Sequence, residues 1–433
     1  MSSKTFYQYH IDGVSFSCSE ATGIKTIYAP LCGPDATSLK SSISPSLSGD
    51  IKIDKYHYVT KPASREDLRY PLRDFFVFVK DKGVVSLSAE TSLDSAKVTI
   101  GPLWHKLERT HKTVGLMLSA INFIPSTNET VELMKVTVKN ISRKLVTFTP
   151  TAAVPVFGRS LANKHDHEHV TALLNRVEQT KDGVLVSPTM AFNEEGHKNI
   201  ETVYFVYGRH QKVTDLVGTF PTAESFFGEA GSILAPEAVI KNLEPKMLRD
   251  DECQGKEVVG ALRFKPVTLQ PGTSADFVIA VGIAKDSLQA KEIFGRFDSV
   301  EKFDNALSAN KKFWVEKISS IQFKDGQDDF NAWMRWVTLQ PILRRIFGCS
   351  FLPDHDYGKG GKGWRDIWQD LLSLILIEPE EVRQDLLNNF GGVRIDGTNA
   401  TIIGQKPGEF IADRNAITRV WMDHGVWPFA TTL

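Results

Sequence analysis

The sequence predicts a multidomain β + α chain. An antiparallel β-sandwich is expected over residues 1–284, a helical linker over 285–327 and the opening of an all-helical domain over 328–433. Three observations carry this. Short apolar runs separated by turn residues fill the first part. After Ala284 the apolar spacing changes from alternation to a helical period. From Asp328 onward that period strengthens, and helix starts and stops become readable.

The β elements come first. "DFFVFVKDKGVVSLSAE" (Asp74 to Glu90) joins two apolar runs through Asp81-Lys82-Gly83, a hairpin signal. "MKVTVKNIS" alternates strictly, with Met134, Val136 and Val138 on one face and Lys135, Thr137 and Lys139 on the other. "VGLMLSAINFIP" and "TVYFVYG" read as further strands, and Pro271-Gly272 marks a turn between two more. Many short strands with few helical stretches favour a sandwich with antiparallel pairing.

The helical elements follow. Asp286 to Ile318 is rich in Lys, Glu and Ala, with Phe303, Leu307 and Trp314 at helical spacing. In "DDFNAWMRWVTLQPILRRIF", Phe330, Trp333, Met334, Val337 and Pro341 share a face, with Pro341 at a kink. "RDIWQDLLSLILI" places Trp368, Leu371, Leu372, Ile375 and Leu376 at the spacing of one helix face. "PEEVRQDLLNNFGG" follows at once. Pro379 fits a first helical turn, the two glutamates suit the helix dipole and Gly391-Gly392 end it, giving an αα-hairpin. "ADRNAITRVWMDHGVWPFATTL" begins another helix, and the whole reads as the opening of a larger helical array cut short.

Composition removes several function classes. Lys plus Arg is 51 against 52 for Asp plus Glu, so charge gives no reason to expect a nucleic-acid or membrane-surface partner. The first residues lack an apolar run behind a basic segment, and no stretch of about 18 apolar residues occurs, so neither a secretory signal nor a membrane span is expected. Cys18, Cys32, Cys253 and Cys349 are scattered without a CxxC pair. That suggests a reduced, cytoplasmic protein with no disulfide framework and no cysteine-held structural zinc.

Three constellations carry chemistry. "YGKGGKGWRDIWQDLL" (Tyr357 to Leu372) invites a phosphate-loop reading, but Gly363 is followed by Trp364 and Arg365, not by the Lys and Ser/Thr that the loop needs. Its second half is more informative. Arg365 and Asp366 stand where the helix begins, with Gln369 and Asp370 one turn on. Burial of positions 368, 371, 372 and 375 leaves Asp366, Gln369 and Asp370 near an edge. Carboxylates accept hydroxyl protons and a guanidinium donates in a planar fork, so the set suits sugar hydroxyls, with Trp364 and Trp368 as stacking faces. The competing reading is a helix cap with surface ion pairs.

The second constellation is "KHDHEH" (Lys164 to His169). On a strand it would project His165, His167 and His169 to one side as metal ligands, and on a loop the spacing means little. No metal site is expected from it. The third is the Gly-rich stretch Asn388 to Asn415, which carries Arg394, Asp396, Asn399, Glu409, Asp413 and Arg414. A long polar loop between helices is rarely filler. "WMDHGVW" adds Asp423 and His424 between aromatics, and a solvated loop competes with a carbohydrate subsite for both segments.

"GWRDIWQDLL" resembles the signature of the family 94 glycoside phosphorylases, the cellobiose and chitobiose phosphorylases and their relatives. "FNAWMRWVTLQPILRR" resembles the helix before that signature. "PEEVRQDLLNNFGGVRIDGTNATIIG", "DRNAITRVWMDHGVWPFATTL", "VELMKVTVKNIS" and "TPTAAVPVFGRSLANKHDHEHVTALLNR" resemble the branch acting on β-1,2-linked oligoglucans. The resemblance implies a β-super-sandwich over residues 1–284, a helical linker and an (α/α)6 barrel, here incomplete. It implies inverting phosphorolysis of a β-glucoside to α-glucose 1-phosphate, with inorganic phosphate as co-substrate and no cofactor. By position, Arg365, Asp366 and Asp370 would hold the non-reducing-end sugar with Gln369 in support; Trp364, Arg394, Asp396 and Asp423 are further candidates. The family's catalytic aspartate and its phosphate-binding His and Thr/Gly groups lie further downstream. The general acid is therefore expected beyond Leu433, and the chain is expected to be a fragment inactive by itself. Dimers are common in the family. Two other classes stay open: a carbohydrate-binding sandwich without catalysis, and an (α/α)6 glycoside hydrolase.

Overall fold

The computed structural model describes residues 7–19, 28–64, 70–88, 95–164, 167–193, 196–348, 362–403, 410–411 and 422–433. The chain divides into two compact units. One holds residues 16–33 and 38–311 with the first few residues; the other holds 9–15, 34–37 and 312–433.

The first unit is a two-layer sandwich. Its larger sheet runs in the order Phe16–Cys18, Ser95–Gly101, Trp104–His111, Leu116–Phe123, Val131–Asn140, Ser274–Ala284, Val203–Arg209, Gly183–Val186, Val177–Thr180. The opposing sheet runs Leu216–Thr222, Val258–Phe264, Val146–Val156, Asp74–Val79, Gly83–Ser86, with Val267–Leu269 also on Val146–Val156. The Asp81-Lys82-Gly83 hairpin forms as read: Val79 lies opposite Gly83, and Asp81 and Gly83 take φ values of 63° and 89°. The alternation in Val131–Asn140 also holds, with Met134, Val136 and Val138 buried while Lys135, Thr137 and Lys139 are not. The Pro271-Gly272 turn carries the chain from one sheet to the other, Gly272 sitting at φ 80°.

Apolar packing holds the layers together. Phe277 of the larger sheet meets Phe75 and Phe264 of the opposing sheet at ring distances of 5.0 and 5.2 Å. Burying each such ring contributes on the order of 2 kcal/mol. The larger sheet's other face is covered by helix. Phe123, Phe205, Tyr207 and Val278 pack with Ile293 and Phe294 of Ser287–Gly295 and with Phe303 and Leu307 of Val300–Ile318. These helices occupy much of the stretch expected as a linker.

In the second unit the Trp364–Leu374 helix is the hub. Asp328–Phe347, Pro379–Phe390 and Met422–Thr432 all pack against it. The described residues thus give helices gathered around one, not a closed ring of helix pairs. The αα-hairpin forms as expected, with Pro379 in the first turn of its second helix. Two face assignments need correction. In Asp328–Phe347, Phe330, Trp333 and Val337 are exposed, and the buried side is Ala332, Leu339, Ile342, Leu343 and Ile346. In Trp364–Leu374, Leu371 is buried but Leu372 and Ile375 are exposed; Ile367 and Leu374 complete the inner face with the two tryptophans. Both helices have apolar residues on more than one side, so spacing alone does not choose the inward face.

Candidate functional site

The residues that the sequence brings forward lie at the start of the Trp364–Leu374 helix, and a small sheet fixes that start. Lys362–Gly363 pairs with Ile402–Ile403, which pairs in turn with Phe410–Ile411. Part of the expected long polar loop is therefore strand. Gly392 lets this layer close: a Cβ there would stand 2.5 Å from Ile403 and 2.7 Å from the Trp364 ring. The Trp364 backbone N–H donates to Thr401 O at 3.1 Å, and its indole N–H donates to the His424 carbonyl at 3.0 Å.

Those contacts decide what the tryptophans do. Trp364 is 2% exposed and Trp368 0%, stacked edge-on at 5.4 Å, with Phe390 5.0 Å from Trp368. Neither offers a ring face to a ligand, which corrects the stacking role expected of them. They are large apolar residues on the inward side of the helix, and burial outweighs any exposed use.

The carboxylates on the other side are held by an arginine that the sequence reading quoted but did not single out. Arg344, near the end of Asp328–Phe347, donates through Nε to both oxygens of Asp370 at 3.0 and 2.9 Å and through Nη2 to Asp366 Oδ1 at 3.1 Å. The three side chains are 29%, 15% and 27% exposed, so the cluster is lined by protein yet open to solvent. Burial lowers the Arg344 pKa, but the Asp370 and Asp366 bonds and charges outweigh it and hold the guanidinium more firmly protonated. Gln369 is half-buried between these carboxylates in sequence, and its side chain has no partner among the described residues.

Arg365 turns the other way and pairs with Asp423 at 3.2 Å. Burial pushes the Asp423 carboxyl up, but the Arg365 hydrogen bond and charge, with His424, bring it below the usual range. His424 is itself held down, first by burial and then by Arg365, against the opposing charge of Asp423. Its Nδ1 lies 3.1 Å from Asn399 Nδ2, an amide donor, so Nδ1 accepts and the neutral ring carries its proton on Nε2.

The remaining candidates divide. Asp396 Oδ1 accepts from Thr398 N–H at 3.0 Å and Oγ1 at 2.6 Å; these bonds lower its pKa and make it a turn residue on an exposed loop. Arg394 closes the same turn through its backbone, its N–H donating to Thr398 O at 2.7 Å. Glu409, Asp413 and Arg414 lie outside the described residues, as do the glycines and lysines from Gly358 to Gly361. Of the two readings left open for "KHDHEH", the described residues do not form the strand. Leu161–Lys164 is a helical turn, His167 has φ 55° and Glu168–Thr171 is helical, while His165 lies outside the described residues. Lys61 pairs with Glu168 at 2.8 Å and Arg159 binds its carbonyl at 3.3 Å, contacts that favour a tight helical turn over alternation.

Arg344 was hard to find from the sequence because its partners lie 22 and 26 positions away on another helix. The only signal was the Arg344-Arg345 pair on the apolar segment "PILRRIF", where charge on a packed helix needs a partner.

Comparison with known proteins adds a family and a fold. The family described as glycosyl hydrolase 94, supersandwich domain, matches residues 72–300, more than half of the chain. The chain is 27% identical over 178 residues to the cyclic beta-(1,2)-glucan synthase NdvB of Rhizobium meliloti (strain 1021), a match covering 40% of this chain and 6% of that protein. It is 30% identical over 132 residues to the N,N'-diacetylchitobiose phosphorylase of Vibrio proteolyticus, covering 30% of this chain and 16% of that protein. The chain thus spans a small part of the length of these curated relatives. The crystal structure of a bacterial glucoamylase complexed with acarbose shares the fold, with a TM-score of 0.55 at 9% identity, covering 93% of this chain and 55% of that one.

Proposed function

We propose, from the premise that this chain belongs to the glycosyl hydrolase 94 family through its supersandwich domain, that it serves inverting phosphorolysis of β-linked gluco-oligosaccharides. β-1,2 linkages are the first choice. In that reaction a phosphate oxygen attacks the anomeric carbon opposite the departing sugar oxygen. The new C–O bond to phosphate forms as the glycosidic C–O bond breaks, and the departing oxygen takes a proton from a general acid. A β-linkage then yields α-glucose 1-phosphate and a shortened sugar.

The observation that carries the reading is the half-open set of Asp366, Gln369 and Asp370. Two carboxylates fixed by Arg344 offer acceptors to sugar hydroxyls, and the Gln369 amide supplies both a donor and an acceptor beside them. The match to a diacetylchitobiose phosphorylase supports the reaction class. The match to a protein named for β-(1,2)-glucan supports the linkage. The helical unit is read as the beginning of an (α/α)6 barrel with Asp366, Gln369 and Asp370 at its mouth. Buried free Cys18 and Cys253 accord with a reducing, cytoplasmic setting.

Holding a sugar and protonating a leaving group are different tasks. A general acid needs a raised carboxyl pKa. In the helical unit, Asp396 and Asp423 are both lowered, the first by its bonds to Thr398 and the second by Arg365 against the effect of burial. We assign sugar binding to Asp366, Gln369 and Asp370 and the acid to neither Asp396 nor Asp423, and propose that the chain by itself binds without cleaving. The test is incubation of the full chain with β-1,2-gluco-oligosaccharides and phosphate, with calorimetry for binding and phosphorus NMR for glucose 1-phosphate. Saturable binding without release is expected. Robust phosphate-dependent release would overturn the missing acid, while free glucose without phosphate would favour a hydrolase.

A further inference from the structure

Arg344 and Arg345 are neighbours on one helix, and they do different things. Arg345 pairs with Glu378 and, at 2.6 Å, with Glu381; Glu378 also takes Lys317. Arg345 and Glu378 are 14% and 9% exposed, so this set ties the end of Asp328–Phe347 to the start of Pro379–Phe390. Arg344 is not needed for that tie. Its bonds go to two carboxylates one helical turn apart, like charges that repel at this spacing when nothing stands between them.

The geometry leaves one side of the cluster open. Arg344 Nη2 takes Asp366 Oδ1, and Asp366 Oδ2 has no partner among the described residues. Arg344 Nε–H is shared by the two Asp370 oxygens, which holds that carboxylate centred on the guanidinium edge. A planar guanidinium can hold two carboxylates in set orientations at once, whereas an ammonium cannot impose a plane. We propose that Arg344 is a positioning residue that presets Asp366 and Asp370 for sugar hydroxyls, an inference that rests on the sugar-site reading above. Rigid acceptors lose less freedom when the sugar arrives, and that shows as affinity.

The experiment is calorimetric titration of a β-1,2-linked glucotriose into the full chain and its R344A, R344K and D370N variants, each checked for folding by circular dichroism. Binding by the unaltered chain is expected to weaken about tenfold in D370N and in R344A, each losing a charge-assisted contact or its support. Millimolar methylguanidinium is expected to restore part of the R344A loss, and methylammonium at the same concentration to restore less. R344K is expected to lie between R344A and the unaltered chain. A folded R344A that binds like the unaltered chain, beside a weakened D370N, overturns the role of Arg344 and leaves the sugar site standing. So does an R344A loss that methylguanidinium does not reduce. Should R344A fail to fold, R344K decides, and affinity equal to the unaltered chain overturns the proposal. An unaltered chain that does not bind, or an unaffected D370N, removes the sugar site and this role together.

Discussion

Among the arginines that hold carboxylates in this protein, Arg73 in the first unit and Arg344 in the second are built for opposite ends. Arg73 lies in the sandwich with Glu132, both side chains 1% exposed. It donates to Glu132 at 2.7 and 3.0 Å, to Gly49 O at 2.9 Å and to Ser41 Oγ at 2.7 Å, while Asn122 also reaches Glu132 at 3.1 Å. Arg344 reaches two carboxylates and leaves them part-exposed. Buried charges must be satisfied internally, and Arg73 and Glu132 are; a ligand site must keep acceptors in reserve, and Asp366 does. The difference between them is thus less about bond lengths than about which lone pairs remain.

The largest effect should come from breaking the enclosed pair. Arg73→Met leaves Glu132 buried without its cation and is expected to cost about 3–5 kcal/mol in denaturant unfolding. Arg344→Met, in partly solvated surroundings, should cost no more than about 1 kcal/mol. Equal losses would mean that Arg344 is a folding tie like Arg73, and the contrast would fail.

A second effect comes from the same interior. His105 is buried, and neither ring nitrogen has a partner among the described residues. Burial first, then the charge of Arg73, pushes its pKa down to about 3 from 6.5. The unfolded chain therefore binds this proton first. The contribution to stability is full above pH 6.5 and is lost as pH falls toward 3. Asp74 runs the other way: burial pushes it up to about 6 from 3.8, against bonds from Ser88 and Phe75. Its contribution is present below 3.8 and is lost as pH rises through about 6. His105→Gln should remove an acid-side loss on the order of a few kcal/mol from the unfolding free energy. An unchanged acid limb in that variant would show that His105 is not the group responsible.

The contrast also explains what could be read from the sequence. The hairpin at Asp81 to Gly83 and the face of Met134, Val136 and Val138 follow from local chemistry, because a left-handed turn and an alternating strand are written in adjacent residues. The αα-hairpin was legible for the same reason, through Pro379 and the glycines after Phe390. The inward face of Asp328–Phe347 was not, because Trp333 is large and apolar yet exposed while Ala332 beside it is buried. At the site, the helix-start location of Asp366, Gln369 and Asp370 was visible from the sequence. Their fixation by Arg344 and the burial of Trp364 depend on separate helices meeting, which no spacing within one segment records.

The smallest effect separates the two halves of the site. Arg365 and Asp423 form an exposed pair at 3.2 Å, so solvent and salt screen it, and such pairs add little to stability. Asp423→Asn should leave the thermal midpoint nearly unchanged. For the β-1,2-linked glucotriose it should weaken affinity by about twofold at most, because solvent already competes for its oxygens. Asp370→Asn should cost several times more, since its carboxylate is held in place before the sugar arrives. A fixed carboxylate and a solvated one would then be ranked by the same titration. If Asp423→Asn weakens binding as much as Asp370→Asn, the sugar lies nearer to Arg365 and His424 than to the Arg344 cluster. The working face of the helix start would then be the Arg365 side.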